Sequence, residues 1–172
     1  MSAKPIESVL FVCLGNICRS PLAEGVFRAV LAERGLDRHV LIDSAGTGGW
    51  HAGEAPDRRS IAIAAQHGVD ISGQKARKVT LDDFSRFDLI LGVDRSNVAD
   101  LKALASAGTR DRVHLFLELA EDRPRDVPDP YYDGPEAFAS VYRMIRTASE
   151  ALATRLEARL STSDNGQASS TI

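Results

Sequence analysis

An apolar run, Val9 to Val12, ends at Cys13. Six residues later comes Arg19-Ser20-Pro21, and then a stretch in which Leu22, Val26, Ala29 and Val30 recur at helical spacing. The order predicts a buried strand over about 8–13, a short turn, and a helix from Leu22 that Gly35 is placed to close. Pro21 suits the first helical position, where a missing N–H costs nothing. A strand feeding a helix through so short a turn is an anion trap. The turn's N–H groups converge, and the helix dipole adds positive character at the same point.

The two ends of the turn, Leu14-Gly15-Asn16-Ile17-Cys18, carry the chemistry. Arg19 can fork two N–H donors onto two oxygens of a tetrahedral anion, with the sulfur of Cys13 beneath the central atom. A field that holds a dianion also favours the deprotonated thiol, so Cys13 is expected as a thiolate, and Ser20 as a hydroxyl donor to it. The competing readings are a small buried core cysteine and an ordinary ion-paired arginine. The shared turn favours the nucleophile and the clamp.

Further along, strands alternate with helices and no hairpin signal intervenes. Val40 to Ile42 reads as a second strand running into a glycine-rich loop, Asp43 to Gly49, with Trp50 and His51 on it. A helix is expected from after Asp57 to about His67, a short helical turn at Leu81–Phe84, a third strand at 87–93, and a helix N-capped by Ser96. A fourth strand is expected at Arg112–Leu117, then a long Asp/Pro/Arg-rich loop from Glu121 to Pro135. The last helix has Phe138, Val141, Tyr142, Ile145, Leu152 and Leu156 on one stripe. This pattern predicts an α/β fold with a parallel sheet and helices on both faces. Ligands then bind outside the carboxyl ends of the strands, where the loop after the second strand faces the Cys13 turn.

With 172 residues the chain fits one domain, expected over 8–160, with a disordered lead at 1–7 and a disordered Ser/Thr-rich tail at 161–172. A formal net charge of −3 argues against nucleic acid as a partner, and no segment is long and apolar enough to span a membrane. With no signal-like leader, the protein is expected to be cytoplasmic. Two cysteines so close together make a poor structural framework, and four scattered histidines give no metal-ligand spacing, so no metal and no cofactor are expected.

Cys13-x5-Arg19-Ser20-Pro21 after the first strand, together with the distant Asp129-Pro130-Tyr131, resembles the low-molecular-weight protein tyrosine phosphatases over roughly residues 8–160. The resemblance implies a three-layer, flavodoxin-like fold with a four-stranded parallel sheet in the order 2-1-3-4. It implies hydrolysis of protein phosphotyrosine through a phosphocysteine, with Cys13 as nucleophile, Arg19 as phosphate clamp and Asp129 as general acid. From the residues alone Asp129 reads as a turn residue held between Pro128 and Pro130. Leu14, Gly15, Asn16, Ile17, Cys18 and Ser20 would then surround the phosphate. Trp50, Tyr131 and Tyr132 would wall the phenyl ring, or simply anchor their loops. The resemblance also implies a reversible disulfide between Cys18 and Cys13 under peroxide; packing is the other reading of Cys18.

Asn16 is expected to hold an unusual backbone conformation with Ser44 as its partner. Asp94 either braces the turn or caps a helix. Where family members tend to carry a histidine completing this network, this chain has Gln74. The implied partners are a phosphotyrosine-containing protein and a tyrosine kinase, and the chain is expected as a monomer or weak dimer. A phosphoarginine phosphatase of the same family is the nearest alternative, disfavoured by Ile17 at a position where threonine tends to occur there. Arsenate reductase needs further cysteines downstream of Cys18, and none follows. A silent phosphate-binding module is disfavoured by the intact Cys13, Arg19 and Asp129.

Overall fold

The computed structural model describes the backbone of residues 5–168 and the side chains through residue 159. Strand β1 (Ser8–Cys13) is buried along its whole length, as a continuous apolar run inside a parallel sheet must be. It pairs in parallel with β2 (Leu41–Gly46) on one side and with β3 (Leu89–Gly92) on the other. Strand β4 (Val113–Leu115) adds to β3, giving the order β2-β1-β3-β4. The expected α/β fold and sheet order are therefore present, and the order reverses at β1. The turn leaving β1 thus opens into the crevice that such a reversal creates.

Alternate residues of β1 feed two cores. Val9, Phe11 and Cys13 face a layer built from α1 (Arg19–Glu33), α2 (Arg58–Gln66), α5 (Phe116–Glu121) and α6 (Pro135–Ala168). Phe11 lies edge-on to Phe27 and Phe116, at centroid distances of 5.6 and 5.1 Å. Leu10 and Val12 face the opposite layer, where Phe84 of α3 (Leu81–Arg86) and Leu101 of α4 (Arg95–Leu104) cover the sheet.

Several boundaries differ from those read in the sequence. Helix α1 starts at Arg19, not Leu22, so the turn of residues 14–18 ends directly at the helix N-terminus. The stretch Asp43–Gly46, expected as loop, is strand, because it continues the register against β1 from Leu10↔Asp43 to Cys13↔Gly46. The third strand is shorter than expected. The fourth stops at Leu115, since Phe116 and Leu117 turn into α5 and bury against the α1–α6 layer. Helix α4 is capped by Asp94, whose Oδ1 accepts from the Asn97 amide at 2.7 Å, and not by Ser96.

The lead expected at residues 1–7 is tied down from Ile6, which is 9% exposed and joins the core. The Leu41 amide donates to the Glu7 carbonyl at 2.8 Å. Residues 1–4 and 169–172 lie outside the described residues. The backbone of α6 remains helical past Ser161 to Ala168, for no proline interrupts it.

Candidate active site

The turn from Leu14 to Cys18 is shaped by the chain that leaves β2. The Thr47 amide donates to the Cys13 carbonyl at 3.0 Å, and the Gly48 amide to the Leu14 carbonyl at 2.9 Å. With those carbonyls held outward, the Asn16 amide points inward and donates to Cys13 Sγ at 3.2 Å. The close approach requires glycine at position 46, since a Cβ there would lie 2.8 Å from the Leu14 carbonyl oxygen.

Asn16 has φ of 57°, a left-handed backbone that a non-glycine residue adopts only when its surroundings hold it there. Its side chain supplies the hold. Nδ2 donates to Ser20 Oγ at 2.8 Å and to Ser44 Oγ at 3.0 Å, and Oδ1 accepts from the Arg77 amide at 3.0 Å. The expected Asn16–Ser44 partnership is thus formed. Ser44 Oγ in turn donates to Glu24 Oε1 at 2.8 Å. Burial pushes the Glu24 carboxyl above its ordinary value, against the opposing pull of Ser44 and Arg28. Gln74 stands apart from this network, donating to the Pro21 carbonyl at 3.1 Å, so Glu24 closes the chain of hydrogen bonds. Replacing Asn16 by Ala removes two buried bonds and one half-buried bond and keeps the left-handed backbone. It is expected to cost about 2–3 kcal/mol, read as a lower urea midpoint at unchanged slope. An unchanged midpoint would show that the turn holds itself.

Asn16 and Ser20, expected around the phosphate, stand behind the turn and are fully or almost fully buried. Ser20 Oγ lies 3.0 Å from Cys13 Sγ and 3.4 Å from the Ala45 carbonyl. Its contact with any ligand would pass through the sulfur.

Arg19 is 3% exposed and is positioned by one edge of its guanidinium. Nη1 donates to Asp94 Oδ2 at 2.7 Å and to the Val127 carbonyl at 2.9 Å. Asp94 therefore both braces the arginine, through Oδ2, and caps α4, through Oδ1. The Val93 carbonyl at the end of β3 accepts from the Val127 amide at 2.9 Å, which fixes the start of the Asp129 loop beside the sheet. Asp129 Oδ2 sits 3.8 Å from Arg19 Nη2, while its Oδ1 accepts from the Tyr131 amide at 3.1 Å in a turn closed by its own side chain.

A cleft of about 220 Å³ opens over the turn. Cys13, Arg19 and Asp129 share it, although Asp129 is separated from the others by more than a hundred residues of sequence. Leu14, Gly15, Ile17 and Cys18 complete its floor, and Trp50, Tyr131 and Tyr132 rise around it. Trp50 is 72% exposed and Tyr132 93%, so both rings are open to solvent and available to a partner. Trp50 folds back over Gly48, where a Cβ would collide with its ring at 1.9 Å.

His51 also lines the cleft, with Nδ1 2.6 Å from Glu54 Oε2, a site residue that the sequence placed only on a loop. Cys18 is buried, and burial, reinforced by Asp57, Cys13 and Asp129, pushes its thiol up to about 12. At neutral pH it is a protonated thiol.

The sequence and the fold have close counterparts. The sequence matches the profile of the family described as low molecular weight phosphotyrosine protein phosphatase over residues 8–162. The low molecular weight protein-tyrosine-phosphatase YfkJ of Bacillus subtilis is 42% identical over 84% of this chain and 92% of its own length. A low molecular weight phosphotyrosine protein phosphatase of Schizosaccharomyces pombe is 44% identical over 78% of this chain and 86% of its own. Among solved structures, a protein tyrosine phosphatase from Entamoeba histolytica with Hepes in its active site matches with a TM-score of 0.84 at 34% identity, covering 88% of this chain and 97% of that one. The crystal structure of YfkJ matches with a TM-score of 0.80 at 39% identity, covering 90% of this chain and 96% of that one. With profile and relatives spanning nearly the full domain, the chain belongs to the low molecular weight phosphotyrosine protein phosphatase family, a family of hydrolases.

Proposed function

We propose that the protein hydrolyses phosphotyrosine in protein substrates through a phosphocysteine on Cys13. The observation that carries this reading is the meeting of the Cys13 sulfur, the Arg19 guanidinium and the Asp129 carboxyl group in one cleft with aromatic walls. In the first step the Cys13 thiolate attacks phosphorus as the bond to the tyrosine oxygen breaks. Asp129, in its acid form, gives that oxygen its proton. In the second step Asp129 takes a proton from water as the water oxygen attacks phosphorus and the sulfur departs, releasing inorganic phosphate. The amides of the turn and the Nε–Nη2 edge of Arg19 stabilise the equatorial oxygens. The Asn16 amide and the Ser20 hydroxyl are placed to support the sulfur each time it carries negative charge.

Cys18 takes part in a protective reaction on this reading. Peroxide oxidises Cys13 to a sulfenic acid, and the Cys18 thiol condenses with it to a disulfide with loss of water.

The purified protein should turn over a phosphotyrosine peptide at the same rate with and without EDTA, and a phosphoarginine peptide far more slowly. A preference for phosphoarginine, or a loss of activity in EDTA, would overturn the proposal. Replacing Asp129 by Asn removes the proton but keeps the shape and the Tyr131 contact. It is expected to lower kcat/KM for phenyl phosphate by about 10²-fold, and much less for p-nitrophenyl phosphate, whose leaving group needs no proton. Equal losses on both would remove Asp129 from the role of acid.

A further inference from the structure

The residue that holds the acid loop in position lies outside the sequence motifs. Asp57 caps α2, accepting from the Arg59 amide at 2.8 Å, and its own amide donates to the Ile17 carbonyl in the Cys13 turn at 2.8 Å. Arg59 folds back on the same carboxylate. Its Nε donates to Asp57 Oδ1 and its Nη2 to Asp57 Oδ2, each at 3.0 Å. A fork on a carboxylate is the geometry that best fixes the plane of a guanidinium.

The same plane then meets the acid loop. Nη2 donates to the Tyr131 carbonyl at 2.9 Å and Nη1 to the Asp133 carbonyl at 3.2 Å. The guanidinium carbon sits 4.4 Å from the Phe138 ring centroid at the start of α6, and 5.5 Å from that of Tyr131. Among the described residues the Asp129 side chain is held by the Tyr131 amide and the long contact with Arg19. Whatever fixes the Tyr131 backbone therefore fixes the Asp129 carboxyl.

We propose that Arg59 is a positioning residue for the general acid, locking the Asp129–Asp133 loop to the Cys13 turn through Asp57. The inference rests on the reading of Asp129 as the acid. It requires that loss of Arg59 copy the leaving-group signature of loss of Asp129, because an acid loop that drifts by an ångström no longer reaches the phenolic oxygen.

The test compares Arg59→Met, Arg59→Lys and Asp129→Asn with the unaltered enzyme. It measures kcat/KM on phenyl phosphate and p-nitrophenyl phosphate, and inhibition by inorganic phosphate. Arg59→Met is expected to lower kcat/KM on phenyl phosphate by about tenfold or more, with a several-fold smaller loss on p-nitrophenyl phosphate, and to leave phosphate inhibition within about twofold. Arg59→Lys keeps the charge but not the fork and is expected to show the same asymmetry, reduced in size. Equal losses on the two substrates, no loss, full rescue by Lys, or weakened phosphate inhibition would each overturn the inference. If Asp129→Asn shows the asymmetry and Arg59→Met does not, the inference alone fails. If Asp129→Asn shows none, the reading of the acid fails and the inference falls with it.

Discussion

Replacing Cys13 by Ser is expected to lower kcat/KM on aryl phosphates by about 10⁴-fold or more, with inorganic phosphate still bound within about tenfold of the original affinity. The structure explains both halves. The side chain at position 13 emerges from the last residue of β1 with a backbone amide 3.2 Å and a serine hydroxyl 3.0 Å from its sulfur, contacts suited to an anion. A serine hydroxyl is smaller and a far weaker acid and nucleophile than a thiol, so it does not replace the sulfur in attack. On the proposed reading the anion is held by other atoms, the remaining amides of the turn and the outer edge of Arg19, which are not bonded to the sulfur. Quenching the unaltered enzyme during turnover should trap a phosphate on Cys13, seen as added mass on the peptide that contains it. Substantial turnover by Cys13→Ser, or phosphate trapped elsewhere, would refute the phosphocysteine.

The cysteine turn and the alternation of strands with helices were legible because each is written in a local pattern. A buried strand, a short turn and a helix start lie within one short stretch of sequence, and their spacing alone brings Cys13 and Arg19 to one cleft. Asp129 was legible only through resemblance, since an aspartate between two prolines is ordinary turn chemistry until the fold returns it to within 3.8 Å of Arg19.

The rest was hidden because it depends on partners chosen by the tertiary structure. Glu24 reads as one more charged position on a helix, yet it is buried and closes the hydrogen-bond chain behind Asn16. Arg59 reads as a surface arginine beside an N-cap, and only the return of the chain at Tyr131 and Asp133 gives it a second partner. The strand ends failed for a related reason. Asp43-Ser44-Ala45-Gly46 has the composition of a loop, and only pairing with β1 makes it strand.

Replacing Arg19 by Lys separates what the arginine does for the fold from what it does for the ligand. The guanidinium spends one nitrogen on structure, with Nη1 bonded to Asp94 at 2.7 Å and to the Val127 carbonyl at 2.9 Å. Its remaining edge faces the cleft with Asp129. A lysine ammonium is a single point and can occupy only one of these places. Drawn to Asp94, it would keep the half-buried carboxylate neutralised and cost the fold only about 1 kcal/mol, but leave nothing to fork across two phosphate oxygens. Activity on p-nitrophenyl phosphate should then fall by about 10³-fold and phosphate inhibition should weaken, while the urea midpoint barely moves.

Arg19→Ala leaves both Asp94 Oδ2 and the Val127 carbonyl without their partner, and is expected to add about 2–4 kcal/mol of destabilisation to the same loss of activity. The contrast between the two variants is the measurement. If Arg19→Lys retains activity within about tenfold, a point charge suffices, and the clamp assigned to the Nε–Nη2 edge is wrong.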